Sequence, residues 1–209
     1  MRILGLDEAG RGCVLGPLTV GAFCLDGEDE QSPLRTAGAA DSKAISARRR
    51  AEAAARLQSL GQVRVLRVEA TEIDAGNLNE LEHRCFVDHV LHFRPDRVYL
   101  DAPVHPAGIP RLRARLEAET GVRDWIIEPK ADATWPVVGA ASIAAKLARD
   151  AAIAELGEVG SGYPSDPVTR ALLTRLLATG EPLPSWVRSR WGTLSQLRQA
   201  GLFSGETAG

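Results

Sequence analysis

An α/β fold is predicted for this chain: one mixed central sheet of about five strands, helices on both faces, and a small helical C-terminal appendage. Three observations carry that expectation. Apolar segments at residues 1–7 and 13–25 flank a Gly-Arg-Gly turn, so the first two strands are tightly joined and antiparallel. Farther on, helix-patterned and strand-patterned segments alternate, as crossover connections require. Residues 137–153 are Ala-rich, and their small side chains let a helix lie close against a sheet.

The elements follow in order. Residues 27–43, rich in Gly, Asp, Ser and Pro, are expected to form an irregular loop. From Ser46 to Leu60 Ala and Arg dominate, which favours a helix. Val63–Val68 alternates with β-branched residues and makes a third strand. Leu78, Leu81, Cys85, His89 or Val90, and Phe93 recur at helical spacing. Arg97–Asp101 is a strand ending in an acid, followed by a helix over Pro110–Glu119 and a strand over Val122–Ile127. Beyond Ser161, prolines at 164, 167, 182 and 184 separate two shorter helical stretches. Residues 1–158 are therefore expected to form the sheet-containing domain, and 159–209 the helical appendage.

A chain of 209 residues can bury one substantial core. Its net charge of −2 carries no global signal for nucleic acid, so any basic face must come from local clustering. Arg48-Arg49-Arg50 and Arg188-Ser189-Arg190 are the candidates for such a face. Cys13, Cys24 and Cys85 lack CxxC spacing, which suggests neither a disulfide framework nor a zinc knuckle. Asp7 and Glu8 interrupt the first apolar stretch too early for a signal peptide, and no apolar run approaches a membrane span. A soluble cytoplasmic protein without membrane contact is expected.

The chemistry concentrates at the end of the first strand, in Asp7-Glu8-Ala9-Gly10-Arg11-Gly12. Adjacent carboxylates there are costly to desolvate unless a cation offsets them, and a divalent metal is the usual partner. The Gly-Arg-Gly that follows combines unobstructed backbone N–H groups with a guanidinium, which suits a phosphate or a sugar hydroxyl. Asp101 closes the fourth strand, where sites gather in open α/β sheets. Asp132 lies just ahead of the Ala-rich helix, in Pro129-Lys130-Ala131-Asp132-Ala133, and by itself would suit a cap or turn. Two hard cations about 4 Å apart need several oxygen ligands and must keep positions open for water and phosphate. Four carboxylates meet that demand, for an in-line displacement at phosphorus without a covalent enzyme intermediate.

These residues resemble ribonuclease HII, closest to its archaeal-type branch, over nearly the whole chain. The carriers are Gly5-Leu6-Asp7-Glu8-Ala9-Gly10-Arg11-Gly12 with Gly16-Pro17, Asp41-Ser42-Lys43, Asn77-Leu78-Asn79-Glu80-Leu81-Glu82 and Lys130-Ala131-Asp132. Ala140-Ala141-Ser142-Ile143-Ala144-Ala145-Lys146 and Gly160-Ser161-Gly162-Tyr163-Pro164-Ser165-Asp166-Pro167 complete the set. The resemblance implies a ribonuclease-H-like fold and endonucleolytic cleavage of the RNA strand of RNA–DNA hybrids, and of DNA that contains ribonucleotides. It implies Mg²⁺ or Mn²⁺, two ions with substrate bound, held by Asp7, Glu8, Asp101 and Asp132. Gly10, Arg11 and Gly12 inherit the reading of the ribose 2′-hydroxyl, Tyr163 the stacking beneath the sugar at the RNA–DNA junction, and Lys43 and Lys146 phosphate contacts. A monomer is expected, with a replication clamp as an unproven partner. The chain departs from the family pattern at Pro129, where a histidine is common, at Cys13, where a proline is frequent, and at Gly76, where a basic residue is usual.

The remaining conspicuous residues have plainer readings. His83, His89, His92 and His105 lack a partner at ligand spacing and are expected on helix surfaces or in the core. Trp186 and Trp191 are expected to pack the helical tail, and Cys85 to lie in the core. The rival functions are a non-catalytic nucleic-acid-binding module of the same fold and a related nuclease that cuts DNA without ribose specificity. The first gains nothing from four acids facing phosphates, and the second has no use for Gly10–Gly12 and Tyr163.

Overall fold

The structure, a computed structural model, describes residues 1–27, 31–39 and 47–204. Its strands are β1 (Arg2–Ala9), β2 (Leu18–Asp26), β3 (Gln62–Val68), β4 (Arg97–Asp101) and β5 (Asp124–Glu128). Its helices are α1 (Gln31–Thr36), α2 (Ala47–Leu57), α3 (Ala70–Ala75), α4 (Leu78–Phe93), α5 (Ile109–Thr120), α6 (Ala131–Thr134), α7 (Pro136–Ala154), α8 (Pro167–Ala178) and α9 (Gly192–Ser204). One sheet runs in the order β3-β2-β1-β4-β5. The first three strands in sequence pair antiparallel, while β4 and β5 run parallel to β1. The mixed sheet with helices on both faces is the one the patterns predict.

Strand alternation sorts the two cores. Leu4, Leu6, Val98 and Leu100 face α4 and α5, together with Phe86, Val90 and Leu116. Ile3 and Tyr99 face α7, α1 and α2, together with Val137, Ile143, Leu34 and Leu57. The Ala-rich helix reaches the sheet because two strand positions on its side lack side chains. A Cβ on Gly5 would lie 2.2 Å from the Val137 carbonyl oxygen, and one on Gly21 2.3 Å from that of Ala141. Any side chain at either position would push α7 off the sheet. On the opposite face, Asn77 caps α4 by accepting from the backbone N–H groups of Asn79 and Glu80 at 2.9 and 3.3 Å.

Two local expectations are corrected, and one short helix is added. Residues 13–16 do not belong to the second strand, which begins at Leu18. Pro17 has no N–H for the ladder and Gly16 takes φ +75°, so the segment leaves the sheet. Val14 and Leu15 donate instead to the Gly162 carbonyl at 2.9 and 3.2 Å, and Gly16 donates to that of Trp186 at 2.8 Å. The expected loop at 27–43 contains helix α1, anchored by Leu34, which packs into the α7-side core. Short α3 was hidden by its polar composition; Glu69 and Glu72 form its capping box, and Ala70 and Ile73 are buried. Asp41, Ser42 and Lys43 lie outside the described residues.

The C-terminal segment builds a third cluster. Val159, Leu173, Val187 and Leu194 pack on Val14, Leu15 and Ile153, with Trp186 and Trp191 against them, as expected of the two tryptophans.

Candidate active site

Asp7 and Asp101 meet because of parity and register. Asp7 shares a β1 face with Gly5, so its carboxyl turns toward α7, where Ser142 hydrogen-bonds it. Parallel pairing sets Leu6 opposite Leu100, which brings Asp101 beside Asp7 at the strands' C-terminal ends. Asp132 arrives on the single turn of α6. Lys130 enters it with a left-handed φ of 60°, and the Ala131 N–H donates to Asp101 Oδ1 at 3.1 Å. One carboxylate oxygen from each of Asp7, Asp101 and Asp132 lies within 4.8 Å of the other two. Asp7 and Asp132 are both buried.

Glu8, one residue on, faces the opposite side of the strand, toward α4. It therefore stands outside the tight trio, although it feels the Asp101 and Glu82 charges. Its Oε2 is buried and has no hydrogen-bond partner among the described residues. Burial, then the Glu8 charge, pushes the Asp7 carboxyl well above the usual range. Burial, then the charges of Glu82 and Asp101, raises Glu8 to about 7. Closely set hard-oxygen donors that repel one another fit a divalent cation such as Mg²⁺ or Mn²⁺.

Beside the acids opens a cleft lined by Glu8, Gly10, Arg11, Gly12, Lys146 and Tyr163, with Arg50, Arg149 and Asp150 on its wall. Gly10 takes φ +87°, and a Cβ there would meet the Pro17 carbonyl oxygen at 2.7 Å, so only glycine serves. A Cβ on Gly12, which lines the cleft, would meet nothing within 4 Å among the described residues. The Arg11 guanidinium is gripped from α4 by Glu82 and Asn79. Tyr163 packs its ring under the Arg149 guanidinium, 4.6 Å away. Arg149 in turn bonds Asp150 at 2.9 Å, Cys13 Sγ at 3.0 Å and the Ser161 carbonyl. Arg50 reaches the same Asp150 at 2.7 Å.

Of the residues singled out in the sequence, Asp7, Glu8, Gly10, Arg11, Gly12, Asp101, Asp132, Lys146 and Tyr163 converge on this end of the sheet, while Lys43 lies outside the described residues. Sequence reading missed Arg149 and Glu82 as supports. Both sit within quoted motif blocks or one turn beyond them, yet nothing in spacing alone reveals a buried arginine or an acid aimed at Arg11. The expected basic face at 188–190 is corrected at Arg188, which is fully buried, while Arg190 is exposed. His83 bonds Glu119 at 3.1 Å and His89 bonds the Val20 carbonyl at 3.0 Å, so both are core histidines as expected.

The raised carboxyls make the metal-free fold sensitive to pH. A carboxyl whose folded pKa exceeds its unfolded value binds more protons when folded, so stability falls as pH rises through that interval. For Glu8 the interval runs from about 4.5 to about 7. In EDTA, the wild-type Tm should drop between pH 5 and pH 8 by on the order of 5 °C more than that of Glu8→Gln. Mg²⁺ should restore more of it at pH 8. Parallel Tm-versus-pH curves for the two proteins would show that Glu8 ionises normally.

Comparison with known proteins agrees with this geometry. Residues 4–194 match the family model described as Ribonuclease HII. A Ribonuclease HII of Archaeoglobus fulgidus is 42% identical over 207 residues, covering 95% of this chain and 97% of that protein. One from Thermococcus onnurineus is 40% identical, covering 95% and 91%. Among solved structures, the ribonuclease H2 of Pyrococcus horikoshii superposes with a TM-score of 0.85 at 36% identity, covering 96% of this chain and 98% of that one. The A. fulgidus RNase HII solved in complex with PCNA gives 0.83 at 39% identity, covering 91% and 95%. A Bst-RNase HIII solved with Mn²⁺ shares the fold, with a TM-score of 0.74 at 17% identity over 96% of this chain and 70% of that one. On the strength of these likenesses the chain belongs to the ribonuclease HII family and is a metal-dependent endoribonuclease.

Proposed function

We propose that the enzyme hydrolyses the RNA strand of RNA–DNA hybrids and cuts on the 5′ side of ribonucleotides embedded in duplex DNA, with two Mg²⁺ or Mn²⁺ ions. The observation that carries this reading is the shared cleft: the Gly10–Gly12 loop, Tyr163 and Glu8 line one pocket next to the three aspartates. A site that senses a sugar thus adjoins a site that suits phosphate hydrolysis.

Asp7, Asp101 and Asp132, with Glu8, would hold the ions. When bound, such ions lower the pKa of an attacking water and neutralise charge on the departing 3′ oxygen. The Gly10–Gly12 backbone approaches the 2′-hydroxyl, because glycine offers no side chain to obstruct it. Tyr163 supports the following deoxyribose, and Lys146 and Lys43 contact phosphates. The acids keep the site negative until cations enter, so substrate and metal favour each other's binding. The PCNA complex of the A. fulgidus relative supports a replication clamp as a partner of this chain as well.

Four labelled substrates test the reading: a long hybrid, a DNA duplex with one ribonucleotide, an all-DNA duplex and single-stranded RNA, each with Mn²⁺. The first two should be cut and the last two left intact. Cutting of all-DNA duplex would favour a nuclease without ribose specificity, and no cutting of any would favour a binding module. Products should carry 5′-phosphate and 3′-hydroxyl ends, because the 2′-hydroxyl is read and does not attack. A 2′,3′-cyclic phosphate would refute that mechanism.

A further inference from the structure

Arg188 is wholly buried, far from the solvated role its setting in the tail suggests. Burial lowers its guanidinium to about 10. Among the described residues no carboxylate touches it. Its Nε donates to the Gly16 carbonyl at 3.0 Å and its Nη1 to the Arg11 carbonyl at 3.1 Å, and the group lies 5.0 Å from the Trp191 ring. Both acceptors belong to the stretch that forms or leaves the Gly10–Gly12 loop. Among the described residues the Nη2 is buried without a partner, 3.8 Å from where a Cβ on Gly10 would stand. A charged group has been desolvated to floor this one loop.

The segment that carries Arg188 is itself pinned. The Arg188 N–H donates to the Val14 carbonyl at 2.9 Å, and Leu15 bridges Val187. Asp74 on α3 accepts from the Ser189 N–H at 2.6 Å, the Ser189 hydroxyl at 2.7 Å and the Arg190 N–H at 3.2 Å.

We propose that Arg188 is a positioning residue for ribose recognition, and that Asp74 latches it in place. In a trans peptide the C=O and the following N–H point in opposite directions. With the Arg11 carbonyl drawn down onto Arg188, the Gly12 N–H is turned away from the guanidinium, toward the open side that lines the cleft. A cation on the carbonyl also polarises that peptide and strengthens its N–H as a donor. Arg188 thus sets both the direction and the strength of the donor offered to a 2′-hydroxyl. The inference rests on the reading of Gly10–Gly12 as the ribose-sensing loop.

The test uses the Mg²⁺-loaded full chain, with the single-ribonucleotide duplex as substrate and an all-DNA duplex of the same sequence as competitive inhibitor. The readout is the ratio of the DNA inhibition constant to the substrate KM, which reports preference for one 2′-hydroxyl. A merely structural or phosphate-binding role moves both constants together. Arg188→Met should lower the ratio by at least about fivefold, and Arg188→Lys, which keeps one charged donor, should stay within about twofold of wild type. Asp74→Ala should lower it by about twofold and carries the test if Arg188→Met does not fold. A wild-type ratio near unity would sink the ribose-reading assignment itself. A wild-type preference left intact in folded Arg188→Met, or in Asp74→Ala where the former is unfolded, overturns the positioning role.

Discussion

Asp101→Asn is expected to abolish cleavage, with a loss of at least about a thousandfold in kcat, equivalent to roughly 4 kcal/mol of transition-state stabilisation. Asp101 is the acid through which the cluster is assembled. It stands beside Asp7 by strand register, and it accepts the Ala131 N–H that starts the turn carrying Asp132. Asparagine preserves that shape and one carbonyl acceptor, so the turn should persist. What disappears is the negative charge, and a neutral amide oxygen is a much weaker ligand for a hard cation. Hybrid affinity should be retained or slightly improved, since one charge facing phosphates is removed. Asp7→Asn should behave alike, with the added relief of a buried charge that Ser142 and the Glu8 N–H only partly compensate. Measured by single-turnover cleavage in Mg²⁺ alongside hybrid binding, near wild-type turnover would remove Asp101 from the metal site. Collapse of binding together with turnover would mean that its role is to hold the fold.

The sequence alone made much of this centre legible, for a physical reason. Strand periodicity is strict, so an acid ending each of two parallel strands can be placed on a face once the register is known. Asp7 and Asp101 follow from that rule, and the same rule sends Glu8 to the other side, a split that an unbroken Asp-Glu pair conceals. Gly5 and the Ala-rich α7 are two halves of one close contact, visible as small residues but not as partners until the fold joins them. Helix α1 escaped notice because a buried leucine among polar and small residues looks like a loop, and its stability comes from tertiary packing more than from propensity. The tail misled most. Charge in Arg188-Ser189-Arg190 suggested a solvated face, whereas the site needed a cation beneath a loop of carbonyls contributed by distant residues 11 and 16. No local pattern encodes a contact across more than 170 residues.

Tyr163→Ala should cripple cutting of a DNA duplex that carries one ribonucleotide, by about a hundredfold in kcat/KM, the scale of a displaced reactant. Such a duplex differs from plain DNA by a single 2′-hydroxyl, so recognition must come from groups arranged around one sugar and its neighbour. In the function proposed above, Gly10–Gly12 reads the hydroxyl. Tyr163 lines the same cleft, and in that proposal it holds the following deoxyribose, where an added 2′-hydroxyl would crowd its ring. The ring is partly exposed on one side and backed on the other by Arg149, whose guanidinium is fixed by Asp150, Cys13 and the Ser161 carbonyl. A platform that rigid loses little on binding, so removing it forfeits positioning as well as contact area. Tyr163→Phe keeps the ring and its stacking on Arg149 and should stay within about fivefold of wild type. Loss of a phosphate contact would act alike on every duplex, whereas loss of the platform should weigh most where only one junction can be used. On a long hybrid, where many registers are available, the penalty should be visibly smaller. If Tyr163→Ala cuts the single-ribonucleotide duplex as fast as wild type at subsaturating substrate, the junction-sensing role belongs to another residue.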